Sequence, residues 1–147
     1  MAHERWIVVG TDFSDGARVA LVNALRLAAD AGANVALVHA YEDGAGAPVV
    51  DPTPCLLTRL AEEIAAVGEA GRRARVEPIV RRGAPWDKIL NVATEYGAEL
   101  VVVGANGERG ALPGLSLGSV ASRVLALSFR SVLVARCARG GPRSAAT

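Results

Sequence analysis

Residues 5–42 are RWIVVGTDFSDGARVALVNALRLAADAGANVALVHAYE, in which two continuous apolar runs flank a helix-like segment. The runs at 6–9 and 35–38 do not alternate with polar residues, which is typical of parallel strands covered on both faces. Ser14 is a suitable N-cap for the helix between them, and Gly32 is a suitable terminator. This stretch therefore predicts a β-α-β unit with a right-handed crossover.

The rest of the chain continues the alternation of strand and helix. Apolar runs at 100–103 and 132–134 predict two more strands, and residues 76–80 predict another between the second and third helices. Apolar residues at helical spacing indicate three further helices, with Leu57, Leu60, Ile64 and Val67 in the second, Trp86, Leu90 and Ala93 in the third, and Val120 and Val124 in the fourth. The sequence thus predicts an α/β fold, a doubly wound parallel sheet with helices on both faces.

Pro78 indicates the order of the strands. Proline cannot donate a ladder hydrogen bond, so the strand that contains Pro78 belongs at an edge of the sheet. The order 2-1-3-4-5 would place this third strand centrally, whereas the order 3-2-1-4-5 places it at an edge. We therefore expect an open five-stranded sheet of order 3-2-1-4-5. A ligand is then expected beyond the carboxyl ends of the first and fourth strands, where the order reverses.

Composition limits the class of protein. The 147 residues include 51% hydrophobic and 4% aromatic residues, enough for one domain with a core of small aliphatic side chains. A net charge of +1 argues against a nucleic-acid or membrane surface. Neither a signal-peptide core nor a membrane-spanning stretch is found, and Cys55 and Cys137 have no CxxC spacing. These features predict a cytoplasmic protein with one domain over residues 1–137 and a disordered tail over 138–147.

A second informative stretch is GANGERGALPGLSLGSVASRVL, residues 104–125, a glycine-rich loop that turns helix-like. Gly104 and Gly107 can adopt positive φ and align backbone N–H groups. Gly118 and Ser119 would stand at a helix N-terminus, where unpaired N–H groups attract phosphate, although Ser119 also suits an ordinary N-cap. Because the sequence lacks G-x-x-x-x-G-K-[ST], a P-loop is excluded. The stretch predicts an anion site.

The order G-A-N-G, a spacer and G-S-V-A-S-R-V-L resembles the nucleotide motif G-2x-G-9x-G-[ST] of the universal stress protein family. Residues 5–42 are similar to the first β-α-β unit of that family, and residues 81–107 to the segment before its motif. The resemblance covers nearly the whole chain and implies the strand order 3-2-1-4-5. One departure is the spacer at 108–117, which has ten residues rather than nine and contains Pro113. This departure puts the register of Gly118 with Gly107 in question.

The resemblance implies an ATP site, with or without Mg²⁺, in a regulatory stress-response module. The loop after the first strand and the end of the second would hold the nucleoside through Gly10, Thr11, Asp12, Phe13 and the backbone of Ala40. The glycine motif would line the phosphates through Gly104, Asn106, Gly107, Gly118, Ser119 and Val120. Asp12 is also compatible with a purely structural turn role, and His39 with a packed or locally hydrogen-bonded one.

No residue is predicted to be catalytic or to bind a metal directly. The sequence offers no obvious general base or arginine clamp, although Arg109 and Arg123 lie near the motif. Two alternatives to a regulatory ATP-binding module therefore remain. One is a slow ATPase or self-phosphorylating enzyme, and the other is a nucleotide-free protein-interaction module.

The fifth strand, with Val132, Leu133 and Val134, would form the sheet edge opposite Pro78. This strand carries neither proline nor charge, and such an edge pairs readily with another chain. The resemblance likewise implies dimers through this strand. We expect a two-fold homodimer with antiparallel pairing of the fifth strands, and no nucleic-acid or membrane partner.

Overall fold

A computed structural model of the chain describes residues 3–44, 46, 50–106 and 117–137. The strands are β1 (Trp6–Gly10), β2 (Asn34–Tyr41), β3 (Val76–Arg82), β4 (Leu100–Gly104) and β5 (Ser131–Ala135). The α-helices are α1 (Asp15–Ala31), α2 (Thr53–Ala66), α3 (Pro85–Tyr96) and α4 (Ser119–Leu127), and a 3-10 helix spans Gly68–Arg72. Gly107 and the predicted tail at 138–147 lie outside the described residues.

All neighbouring strands are parallel, and their order is β3-β2-β1-β4-β5, which confirms the predicted α/β sheet. Pro78 lies in the edge strand β3, opposite Leu37. The N–H group of Val35 donates to the carbonyl of Arg75 at 2.8 Å, so the odd-numbered residues of β3 bond to β2. Pro78 is even-numbered, and its nitrogen therefore faces the open side of the sheet, where no ladder bond is lost.

The core has two layers, one on each face of the sheet. On one face Ile7, Val9 and Leu37 pack beneath α1 and α2 with Leu21, Leu25 and Leu60. On the other face Val8, Val38 and Val101 pack beneath α3 and α4 with Ile89, Val92 and Val124. Because successive strand residues point to opposite faces, burial on both faces makes the runs continuously apolar. No helix in the described part of the chain is long and apolar enough to cross a membrane.

The helix ends match the sequence signals. The Ser14 side chain accepts a hydrogen bond from the N–H group of Ala17, and Gly32 (φ 67°) and Gly97 (φ 59°) terminate α1 and α3 in the left-handed conformation. Pro85 occupies the first turn of α3, where its missing N–H group costs no hydrogen bond.

The helix faces differ in part from the expected ones. Leu57 is 38% exposed, because α2 lies at the margin of the sheet and buries Leu60 alone completely. In α3 the fully buried positions are Ile89, Val92 and Ala93, while Trp86 and Leu90 pack at the border of the core. In α4 the buried residues are Ala121 and Val124, and Val120 is only partly covered.

Candidate functional site

A cleft of about 680 Å³ opens at the carboxyl ends of β1 and β4, the place where the strand order reverses. Its volume lies in the range of small-molecule sites. The ends of β1, β2 and β4 form its floor, and the first turns of α3 and α4 form one side. Most of the wall area is apolar, with contributions from Val38, Pro85, Ile89, Val103 and Leu117.

The structure brings most of the predicted site residues to this cleft. Those that line it are Gly10, Thr11, Asp12, Ala40, Gly104, Asn106, Gly118, Ser119 and Val120. Gly107 lies outside the described residues. Phe13 is described but is not among the lining residues. Sequence reasoning missed the contributions of α3, because Pro85 and Ile89 are distant in the chain and carry no polar group that would signal a site.

Thr11 and Asp12 hold the loop after β1 by hydrogen bonds within the loop. The Thr11 hydroxyl accepts from the N–H group of Phe13, and Oδ1 of Asp12 accepts from that of Ser14, each at 3.0 Å. The Thr11 N–H group donates to the carbonyl of Val38 at 2.8 Å, which ties the loop to β2. Asp12 therefore has the turn role that its position predicts, and it is also one of the residues that line the cleft.

Phe13 supports the loop from the side away from the cleft. Its φ of 66° is left-handed, a conformation that few residues other than glycine adopt. The Phe13 ring packs against the His39 ring, with centroids 4.5 Å apart, and the Arg59 guanidinium lies 3.9 Å from the Phe13 centroid. The Phe13 side chain is thus held between β2 and α2, and a contact of Phe13 with the nucleoside stays a prediction.

His39 joins the end of β2 to the same loop. Its Nδ1 atom lies 2.9 Å from the carbonyl oxygen of Thr11. A carbonyl oxygen can only accept, so Nδ1 carries the proton of this hydrogen bond. In the neutral imidazole, Nε2 is then an acceptor. The predicted local hydrogen bond of His39 is confirmed, and the residue also lines the cleft.

Gly104 is required for close packing rather than for positive φ. Its φ is not among the positive values of the described glycines, so Gly104 does not use the left-handed conformation that glycine permits. A Cβ atom on Gly104 would lie 2.9 Å from the carbonyl carbon and oxygen of Gly16 in α1. Real Cβ contacts are almost never this short, so the first turn of α1 can approach β4 only because both positions are glycine.

Gly118 is anchored to the end of β4. Its N–H group donates to the carbonyl of Ala105 at 2.7 Å, and the N–H group of Ala105 donates to the carbonyl of Ala135 in β5 at 2.8 Å. Gly118 has extended dihedrals (φ −74°, ψ 172°) and is the N-cap of α4. These bonds hold Gly118 beside β4 although the spacer is one residue longer than in the family motif.

The N-terminus of α4 presents free donors to the cleft. Within the described residues no side chain caps this helix, and the first intrahelical bond runs from the N–H group of Ser122 to the carbonyl of Gly118. The N–H groups of Ser119, Val120 and Ala121 therefore have no backbone partner among the described residues. Because Gly118 is the N-cap, the alternative of Ser119 as the N-cap is wrong. Three unpaired N–H groups and the helix dipole make this end of the cleft suitable for an anion.

The opposite end of the cleft is formed by the backbone of Ala40. The N–H group of Asn34 donates to the carbonyl of Arg5, and the carbonyl of Val38 accepts from the N–H group of Thr11. The backbone groups of the even-numbered residues of β2 therefore point toward β1. Ala40 continues this alternation beyond the end of β1, and its N–H and C=O groups face the cleft. A planar group with an adjacent donor and acceptor can bond to this strand edge. No group of three or more His, Cys, Asp or Glu side chains that could hold a metal occurs in the described part.

The sequence profile of the Universal stress protein family matches residues 5–136. The chain therefore belongs to the universal stress protein family. It is 34% identical over 146 residues to a universal stress protein of Mycobacterium tuberculosis strain H37Rv, in a match that covers 91% of this chain and 97% of that protein. A universal stress protein of Mycolicibacterium smegmatis is 33% identical over 135 residues, and the match covers 88% of this chain. The chain spans about half the length of that relative (45%).

Solved structures include close matches to the whole fold. One is a universal stress protein in complex with cAMP, with a TM-score of 0.68, 30% identity and coverage of 93% of this chain and 100% of that one. Another is the universal stress protein of Archaeoglobus fulgidus in complex with dAMP, with a TM-score of 0.66, 25% identity and coverage of 92% and 99%. Structural neighbours of this chain thus include complexes with adenine nucleotides.

Proposed function

We propose that the cleft binds an adenine nucleotide, with ATP as the ligand, and that the protein is a nucleotide-responsive regulatory module of a stress response. One observation carries the proposal. Three N–H groups of α4 that have no partner among the described residues, and the backbone edge of Ala40, lie at two sides of one cleft. An adenine nucleotide has a phosphate group at one end and a donor-acceptor edge at the other. The adenine-nucleotide complexes of two structural neighbours support this assignment.

In this mode the N–H and C=O groups of Ala40 bind the adenine edge, where the N6 amino group donates and the adjacent ring nitrogen accepts. The apolar side chains of Val38 and Ile89 cover the base. The ribose hydroxyls donate to the carboxylate of Asp12, which is better placed there than beside phosphate because two negative charges repel. The phosphates accept from the N–H groups at the start of α4 and from the Ser119 hydroxyl. The family motif, which this chain retains with a longer spacer, favours ATP over a monophosphate.

Calorimetry with ATP, AMP, cyclic AMP and GTP tests the proposal. ATP should bind, and GTP should bind at least about tenfold more weakly, because its O6 carbonyl replaces a donor that the Ala40 carbonyl needs. A protein that responds to none of the four ligands, in calorimetry or in a thermal melt, contradicts nucleotide binding and favours a protein-interaction module. Conversion of bound ATP to ADP would add a hydrolytic activity to the module.

We also propose a homodimer through β5. This strand is the edge opposite β3, and the N–H group of Ala105 donates to the carbonyl of Ala135. With the observed register, Leu133 and Ala135 bond to β4, whereas the backbone groups of Val132 and Val134 face the open edge. Large exposed apolar side chains on the helix and turn that lead into β5 support an interface there, namely Leu125, Leu127 and Phe129.

The cytoplasm is the proposed location of this module. Cys55 and Cys137 are both free and exposed to solvent. Exposed free thiols persist most readily where the compartment is reducing. Fractionation of cells that produce the full protein would test the location, with recovery in the cytoplasmic fraction as the expected result.

A further inference from the structure

Arg123 lies on α4 one turn after Ser119, the first residue of the helix. Residues at positions i and i+4 share a helix face, with Cβ atoms about 6 Å apart. Long side chains on a helix point back toward its N-terminus. From this position the guanidinium of Arg123 can reach the N-terminal end of α4.

The guanidinium of Arg123 contacts Trp86 on the neighbouring helix α3. The Cζ atom of Arg123 lies 5.7 Å from the centroid of the Trp86 ring, within the range of a cation-π contact. Trp86 follows Pro85, which lines the cleft, so the contact joins the first turn of α3 to α4. Arg123 makes no ion pair with a carboxylate in the described part of the chain. Neither Arg123 nor Trp86 lines the cleft itself, and no described acidic side chain neutralises the Arg123 charge.

We propose that Arg123 binds the outer phosphates of a nucleoside triphosphate and makes the site prefer a triphosphate over a monophosphate. This inference rests on the proposed nucleotide function. A single phosphate can be bound by the N–H groups of α4 alone, whereas two further phosphates extend past the start of the helix. A guanidinium binds phosphate oxygens through two parallel N–H donors, and the exposed contact with Trp86 is weak enough to be exchanged for this stronger one.

The test compares ATP and AMP binding by calorimetry in wild type, Arg123→Gln and Arg123→Lys. The matched control is Arg26→Gln, which removes an exposed arginine of α1 that makes no ion pair in the described part. Arg123→Gln should weaken ATP binding by at least about tenfold and change AMP binding less than about twofold. Arg123→Lys should recover part of the ATP affinity, because it keeps the charge but loses the paired donors. Arg26→Gln should change neither ligand by more than about twofold.

Each other outcome has a definite meaning. Equal losses for ATP and AMP, or no loss for either, would overturn the role of Arg123 while leaving nucleotide binding intact. Wild-type protein that binds AMP as tightly as ATP would also overturn it. Wild-type protein that binds neither ligand would refute the proposed function and this inference together. A thermal melt of each variant shows whether a loss of affinity comes from unfolding.

Discussion

Gly16 in α1 lies so close to Asn106 that a Cβ atom on Gly16 would be 2.6 Å from the Asn106 carbonyl oxygen. The first turn of α1 therefore rests directly on the backbone that leaves β4. Gly104 lies equally close to α1, because a Cβ atom added to Gly104 would meet the backbone of Gly16. The position of the residues after β4, including those that line the cleft, depends on the close contact of Gly16 in α1 with Gly104 and Asn106.

Gly16→Ala should lower the free energy of unfolding by about 1–3 kcal/mol, because the added methyl group forces the backbone of α1 and the loop apart. Helix propensity alone predicts that Gly16→Ala raises the free energy of unfolding, since alanine is a better helix former than glycine by about 1 kcal/mol. The control is Gly44→Ala, where the added methyl group would meet nothing within 4 Å and the free energy should change by less than about 0.5 kcal/mol. Chemical denaturation measures both. A stabilised Gly16→Ala variant would show that the contact relaxes freely.

A second prediction concerns Tyr96, whose hydroxyl donates to the Glu77 carboxylate at 2.7 Å. Partial burial, followed by this hydrogen bond, raises the pKa of Tyr96 above its ordinary value. The folded protein therefore retains the phenol proton at a pH where the unfolded chain, with a pKa of about 10, has lost it. The stabilisation is present in full below about pH 10 and is lost as the pH rises through the pKa of the folded state.

Tyr96→Phe should thus flatten the fall of unfolding free energy above about pH 10, as measured by denaturation at a series of pH values. Glu77→Gln should flatten it in part, because the negative charge that disfavours the phenolate is removed. If wild type and Tyr96→Phe lose stability equally with rising pH, the hydrogen bond does not control the ionisation of Tyr96.

Strand order was predictable from the sequence because its signals are local. Pro78 can occupy an edge strand only, and unbroken apolar runs require burial on both faces. The extent of burial was less predictable. Periodicity shows that Leu57 and Leu60 share a helix face, yet it does not show how much of that face the sheet covers. Since α2 lies at the margin, Leu57 remains 38% exposed while Leu60 is fully buried.

The sequence predicts where the candidate site lies, but not the backbone contacts and dihedrals that shape it. Gly104 was identified as special, but its close contact with Gly16 joins two distant segments and has no local signal. Likewise, Phe13 has a left-handed φ and its ring packs against His39, and sequence alone does not report such a dihedral. The N-cap of α4 differs by one residue from the alternative at Ser119, which is within the usual uncertainty of helix boundaries.

A third prediction concerns a variant that disturbs the proposed β5 interface but leaves the hydrogen bonds between β4 and β5 intact. Val132→Pro removes an N–H group that faces the open edge, whereas the groups of Leu133 bond to β4. The variant should therefore shift the protein toward the monomer at micromolar concentration in light scattering. Val132→Thr, which keeps both the N–H group and a β-branched side chain, should stay dimeric. Monomeric wild-type protein would rule out the interface.

A fourth prediction tests whether the first N–H group of α4 binds phosphate, by replacing Ser119 with proline, which the first position of a helix tolerates. Proline is favourable at the first position of a helix, and the extended dihedrals of Gly118 suit a residue that precedes proline. Ser119→Pro should therefore keep the unfolding free energy within about 0.5 kcal/mol of wild type. It removes both the N–H group and the hydroxyl of Ser119, so ATP binding should weaken by at least about tenfold.

Ser119→Ala is the matched control for this variant, because it removes the hydroxyl alone and keeps the N–H group. Its loss of ATP affinity should be clearly smaller than that of Ser119→Pro, since a donor at the helix N-terminus remains. Calorimetry on the two variants, with denaturation curves for each, separates the contribution of the backbone donor from that of the side chain. Equal ATP affinities in wild type and Ser119→Pro, at equal stability, would mean that the first N–H group of α4 does not bind phosphate. The anion would then have to bind elsewhere in the cleft.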